Sequence, residues 1–189
     1  MNFDPSTYND LTVTESPIPG LFVIKLPVHG DNRGWFKENY QKEKMEALGL
    51  PALTIVQNNI SFNDKAGATR GLHAEPWNKF ISTANGRVFG AWCDVRQGPT
   101  FGRTFSVEIN PGTAVFVPKG VANGYQTLDD NVAYTYLVDA HWSPDAQYTF
   151  VNLFDPALDI AWPLGKDKAI ISHKDAAHPL LRDVQSMEL

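Results

Sequence analysis

From residue 54 to about residue 151, turn-forming clusters recur, mostly about 8–12 residues apart. They are Asn63 to Gly67, Asn85-Gly86, Gln97-Gly98-Pro99, Asn110-Pro111-Gly112, Lys119-Gly120 and Asp129-Asp130-Asn131. The runs between them are apolar or alternate in polarity, and they are too short for the helices that alternating βα units require. The pattern therefore predicts an all-β sandwich or barrel. Asn85-Gly86 lies between apolar runs and reads as a hairpin, because both residues tolerate positive φ.

Upstream, Leu21 to Leu26 reads as a strand, His29 to Gly34 as a turn cluster and Trp35 to Tyr40 as another strand. Gln41 to Leu48 holds good helix formers and stops at Gly49, with Pro51 beyond, so one short helix is expected. Residues 1–17 are polar and without strong periodicity, and a loose N-terminal arm is expected there. The segment 152–189 carries Asp155-Pro156, Trp162-Pro163 and His178-Pro179, which predicts short helical turns and loops wrapped on the barrel. No repeat or linker divides the chain, so one domain over 1–189 is expected.

Composition narrows the function. Net charge is −5, which argues against a nucleic-acid binder, whose phosphate contacts need a basic surplus. No apolar run approaches the roughly 18–20 residues that cross a bilayer, and no basic-then-apolar leader opens the chain. A cytoplasmic protein is expected. Cys93 is the single cysteine, so no intrachain disulfide and no cysteine-based zinc site can form. Its apolar surroundings predict a buried, inert thiol.

Several segments carry chemistry. Ala68 to Phe80 holds Arg70, His73, Glu75 and Lys79. On a regular strand Arg70 and His73 face opposite sides, unless Gly71 introduces a bulge. Lys79 shares a face with His73 only if the strand is continuous, and Pro76 argues against continuity. Tyr134 and Tyr136 lie two apart and face one way; one could donate a proton while the other packs. Ser172-His173-Lys174-Asp175 places a cation and a carboxylate beside a histidine, but the sequence does not pair Asp175 with any particular imidazole. His173 and His178 are expected at the surface. Arg33 to Glu38 combines a turn with alternating charged and aromatic residues, and Gln57-Asn58-Asn59 places two amides on one strand face. Buried amides and arginines need partners, which a sugar, a base edge or a pyrophosphate can supply.

Taken in order, Arg33 to Glu38, Gln57 to Ser61, Arg70 to His73, Lys79, Val117 to Gly120, Tyr136, Asp155-Pro156, Ile160 to Pro163 and Ser172 to Asp175 resemble the dTDP-4-dehydrorhamnose 3,5-epimerase family. The resemblance runs from about residue 18 to residue 183. It implies a cupin-type jelly-roll β-barrel with a few short peripheral helices, and a homodimer without metal or cofactor. It implies conversion of dTDP-4-dehydro-6-deoxy-D-glucose to dTDP-4-dehydro-L-rhamnose, towards dTDP-L-rhamnose and polysaccharide. His73 would match the base at C3 and C5, Asp175 the acid that orients it, Lys79 the cation beside the C4 oxygen and Tyr136 the acid on the opposite face. Arg33, Phe36, Glu38, Gln57, Asn59 and Arg70 would match contacts to nucleotide and sugar. Lys174 and Trp142 join the expected binding residues, Trp142 as a stacking surface where many members have tyrosine. Glu75 and Asn123 stand where members often have glutamine and histidine.

The chemistry explains the residue types. A C–H beside a ketone is acidic because the carbanion delocalises onto oxygen. A neutral imidazole supplies the base and a lysine the positive charge, each contributing about 10²–10³-fold. Inversion needs a second acid on the far face. No electrons leave the substrate, and no glycine-rich dinucleotide fingerprint opens a βα unit. Metal-binding cupins present several histidines; here only His73 stands at such a position, with Glu75 and Asn123 at the others, so no metal is expected. Three alternatives stay open: a 3-epimerase or keto-isomerase of a related dTDP-4-keto-deoxysugar, a non-catalytic sugar-binding cupin, and a metal-dependent cupin.

Overall fold

The computed structural model describes residues 3–189. The strands, in chain order, begin with β1 (Thr12–Glu15), β2 (Phe22–Lys25), β3 (His29–Asp31) and β4 (Gly34–Phe36), followed by helix α1 (Lys42–Ala47). Then come β5 (Gln57–Asn63), β6 (Ala68–Ala74), β7 (Lys79–Asn85), β8 (Val88–Asp94), β9 (Thr104–Ile109), β10 (Thr113–Val117), β11 (Val121–Thr127) and β12 (Val132–Val138). The tail adds β13 (Thr149–Phe150), β14 (Ile170–Ile171) and the one-turn helix α2 (His173–Ala176).

Two sheets face each other. One has the order β1-β2-β10-β7-β12-β5, the other β13-β6-β11-β8-β9, with β14 also on β6. Apart from β14, the pairs are antiparallel, and non-sequential neighbours such as β7 and β12 make the crossovers of a jelly roll. The all-β expectation and the turn positions hold. β7 and β8 flank the Asn85-Gly86 turn, but they lie in different sheets, so the turn is a corner and not a hairpin.

The strands read as nearly continuous apolar runs because both of their faces are covered. Ile81, Val115 and Tyr134 from one sheet meet Trp92, Ile109 and Tyr125 from the other in the central layer. Stepping one residue reverses the face. Phe80 and Phe116 point outward and pack beneath Met45 of α1 with Leu50 and Leu53. Leu72, Cys93 and Ala122 point outward from the second sheet and are covered by Val151, Leu153, Leu158 and Met187 of the tail. The tail is thus the outer wall of that sheet. Cys93 is buried there, and burial pushes its thiol up to about 12, which keeps it a thiol at neutral pH.

Two expectations need correction. The N-terminal arm is not loose over its described part: Pro5–Thr7 forms a 3-10 turn and β1 pairs with β2 from Thr12↔Lys25 to Glu15↔Phe22. The edge of a sheet gave this polar stretch hydrogen-bond partners that its own pattern did not announce; residues 1–2 lie outside the described part. The strand expected over Trp35 to Tyr40 stops at Phe36, and its partner is β3 inside the expected turn cluster. No helix among the described residues is long and apolar enough to cross a membrane.

Trp92 is fully buried between the sheets and stacks on Phe105 at 5.9 Å. Trp92→Ala should lower unfolding stability by about 3–5 kcal/mol, seen as a reduced urea midpoint at unchanged fold topology.

Candidate active site

At one end of the barrel the inward-facing residues become polar and line an open-mouthed cavity of about 180 Å³. Arg70 and His73 on β6, Glu75 just after it, Lys79 on β7, Asn123 and Tyr125 on β11, and Tyr134 and Tyr136 on β12 line it. Arg70 and His73 share the cavity because β6 carries a bulge. Tyr125 pairs with Arg70 and Asn123 with His73, so three steps of β6 oppose two of β11. Gly71 lies in that bulge with φ +116°, and a Cβ there would sit 2.6 Å from the Asn123 carbonyl oxygen. The chain then passes from one sheet to the other, so Lys79 reaches the cavity from the opposite sheet and not from a continuation of β6.

Asp175 pairs with His73. Its Oδ1 lies 3.0 Å from His73 Nε2, and its Oδ2 accepts from the Gly71 N–H at 3.4 Å. Asp175 is held by α2, whose first turn is capped by Ser172 Oγ accepting from the Asp175 N–H at 3.0 Å. Burial pushes the Asp175 carboxyl up, but the hydrogen bond and charge of His73, the Gly71 N–H and the nearby His178 outweigh it, and the carboxyl lies below its usual range. An ionised carboxylate only accepts, so His73 Nε2 carries the proton and Nδ1 holds the lone pair.

The other charged group is the Lys79 ammonium, which is ion-paired with Glu75 and donates to Asn123 Oδ1 at 2.6 Å. It also lies 6.0 Å from the centre of the Tyr136 ring. Glu75 and Asn123 therefore grip an ammonium. The Tyr136 phenol is raised above its usual pKa, first by burial and then by the Glu75 charge, so it stays protonated at neutral pH. Tyr134 is raised well above its usual value by burial; its hydroxyl has no partner among the described residues, and its ring stacks on Tyr125 at 4.1 Å. Of the two tyrosines facing one way, Tyr134 packs deep and Tyr136 is the more open.

Arg70 donates from Nε to Asn63 Oδ1 at 3.0 Å. A second pocket adjoins the first through Glu75 and Tyr136, and Gln57, Asn59, Trp77 and Trp142 line it. Gln57 accepts from the Trp142 backbone N–H at 3.3 Å, which anchors the Trp142 loop over this pocket. The geometry does not bring every expected residue together. Arg33 is ion-paired with Asp31 on the exposed β3–β4 hairpin, Phe36 is 65% exposed, and Glu38 pairs with Lys44 of α1. None of the three lines the cavity in one chain. Lys174 lies outside it as well, 5.3 Å over the Phe150 ring.

Another expectation fails at His178, which is buried against Asp175 and not on the surface; His173 is exposed as expected. Phe150 stacks on His178 at 4.8 Å. No pattern within the tail marked this burial, because the wall that covers His178 comes from Phe150 and β6.

The fold is a cupin-type jelly roll, and the polar end of its barrel holds acid–base side chains from both sheets. The sequence profile described as dTDP-4-dehydrorhamnose 3,5-epimerase matches residues 15–183. A protein described as an RmlC homolog from Streptococcus pyogenes serotype M6 is 49% identical over 90% of this chain and 89% of its own. The dTDP-4-dehydrorhamnose 3,5-epimerase of Mycobacterium tuberculosis is 34% identical over 93% of this chain and 90% of its own. The structure of RmlC from Streptococcus suis, solved in complex with dTDP-D-xylose, superposes with a TM-score of 0.88 at 49% identity, covering 94% of this chain and 95% of that one. The chain belongs to the dTDP-4-dehydrorhamnose 3,5-epimerase family, isomerases acting on sugars.

Replacing Asp175 by Asn keeps the shape but lets the amide donate, which turns His73 towards the wrong tautomer. Asp175→Asn should lower kcat by about 10²–10⁴-fold with the fold intact by circular dichroism. Because the folded carboxyl is depressed, the stability it contributes is present above about pH 4 and lost as pH falls through the lower folded value. The variant's acid-unfolding curve should be correspondingly flatter in that range.

Proposed function

We propose that the chain inverts C3 and C5 of dTDP-4-dehydro-6-deoxy-D-glucose, giving dTDP-4-dehydro-L-rhamnose on the route to dTDP-L-rhamnose, without metal or cofactor. The observation that carries this reading is that His73, on one sheet, pairs with Asp175 of α2 while Lys79 and Tyr136 line the same cavity from the other sheet. His73 Nδ1 takes the proton from C3 and later from C5. The electron pair moves onto the C4 oxygen, where a Lys79 N–H stabilises the enolate. Tyr136 returns a proton to the opposite face of the carbon, and solvent restores both groups. No net electron or atom is gained.

Arg70 and the second pocket with Gln57, Asn59 and Trp142 serve the nucleotide half of the substrate, Trp142 by stacking on the base. Arg33, Phe36 and Glu38 serve it from the partner subunit of a homodimer. Support for that assembly comes from the outlying hairpin and from the edge strand β5, which presents Ile60 at 68% and Phe62 at 55% exposure. We further propose a cytoplasmic location.

In heavy water the substrate should take up solvent deuterium at both C3 and C5, read by NMR; label at C3 alone would convert the reading to a 3-epimerase. His73→Ala should abolish both exchanges, whereas Tyr136→Phe should slow turnover and leave residual exchange, because removing a proton does not need the phenol. Sedimentation should give a dimer for the native chain and a monomer for Ile60→Arg with Phe62→Arg; a native monomer would remove the shared-site arrangement.

A further inference from the structure

A second histidine reaches the carboxylate that orients the base, and the epimerisation does not use it. The His178 side chain is 5% exposed, and its Nε2 lies 3.6 Å from Asp175 Oδ1, the same oxygen that faces His73 Nε2 at 3.0 Å. The two imidazoles meet edge to face at 5.3 Å, and Phe150 closes the far side of His178. Neither ring nitrogen of His178 has a hydrogen-bond partner among the described residues. Buried polar atoms are ordinarily satisfied, so an unpartnered Nε2 lying 3.6 Å from a carboxylate oxygen points to an occupant.

We propose that His73 Nε2, Asp175 Oδ1 and His178 Nε2 form a site for a divalent cation of the zinc type, and that the bound cation inhibits the enzyme. The three ligand atoms lie within 4.8 Å of one another, and this is the one such group of three among the described residues. Two imidazoles and a carboxylate are a donor set that zinc takes, leaving a fourth position for water. Tetrahedral zinc with bonds of about 2.0–2.1 Å holds its ligands about 3.4 Å apart, and the 3.0 and 3.6 Å edges bracket that value. The remaining edge closes by rotation of His73, which is 33% exposed and so also gives the ion a way in. The Gly71 N–H bond to Asp175 Oδ2 supplies the outer hydrogen bond that steadies a ligating carboxylate. The site is distinct from the cluster in which Glu75 and Asn123 grip the Lys79 ammonium.

The inhibitory half rests on the epimerase reading; the binding half does not. A cation on Nε2 takes the lone pair there, so the single imidazole proton of His73 moves through solvent to Nδ1. No proton is gained or lost, but the nitrogen that must accept the substrate's proton becomes a donor. The substrate still finds its cavity, so kcat falls while KM holds.

The test uses the full chain after chelator treatment, titrated with zinc by calorimetry and with cobalt by its visible absorption. One ion per chain is expected, with four-coordinate cobalt bands, and His178→Gln should weaken binding at least about tenfold, since even outer-sphere losses weaken metal sites about 10–100-fold. Zinc should lower the native kcat reversibly on adding chelator, and the His178→Gln rate should stay at its own metal-free value. His178→Phe, which keeps a ring stacked on Phe150, serves if the glutamine variant does not fold. Affinity indifferent to both substitutions, or an active enzyme indifferent to bound zinc, overturns the proposal. His178-dependent binding to a protein that shows no metal-free turnover would instead sustain the site and overturn the epimerase reading.

Discussion

The hydrogen bond between His73 and Asp175 joins residues 102 positions apart, and the rest of the architecture is arranged so that it can form. One partner sits on β6 inside the barrel. The other sits on a four-residue helix that could not persist alone, since a single turn does not repay its nucleation. Its placement depends on the tail lying against the outer face of the second sheet, where Leu153, Leu158 and Met187 meet Leu72, Cys93 and Ala122. Apolar burial on the outside of the barrel thus sets the orientation of the His73 imidazole on the inside.

The same sheet must also turn His73 inward. A regular strand would send either Arg70 or His73 out into the Leu72 layer, where a charged or polar group would be stranded. The bulge at Gly71 inserts one residue and lets both side chains face the cavity. Leu72 keeps its place in the outer layer. Packing and chemistry are therefore satisfied by a single backbone irregularity, at a position where a Cβ would collide with β11.

Charge is balanced locally. Lys79 is buried with Glu75 as counter-ion and Asn123 as acceptor, and these contacts offset the desolvation cost of placing an ammonium in a barrel interior. The Glu75 charge in turn helps keep the Tyr136 phenol protonated. Glu75 and Asn123 are therefore coupled through the one lysine they both touch.

The turn clusters between Asn63 and Asn131 and the apolar runs between them determined an all-β barrel, because a chain with such short segments has no other way to cover its apolar faces. The order of motifs from Arg33 to Asp175 likewise determined the family, and with it the expected base, acid and cation. Local pattern did not decide which sheet each strand joins, so Asn85-Gly86 became a corner, and it did not show β1, whose hydrogen bonds come from β2. Nor did it show that Arg33, Phe36 and Glu38 stand apart from the cavity of their own chain, or that His178 is buried beside Asp175. Those outcomes depend on contacts between residues far apart in the chain, and periodicity reports only which way a side chain points, not what it meets there.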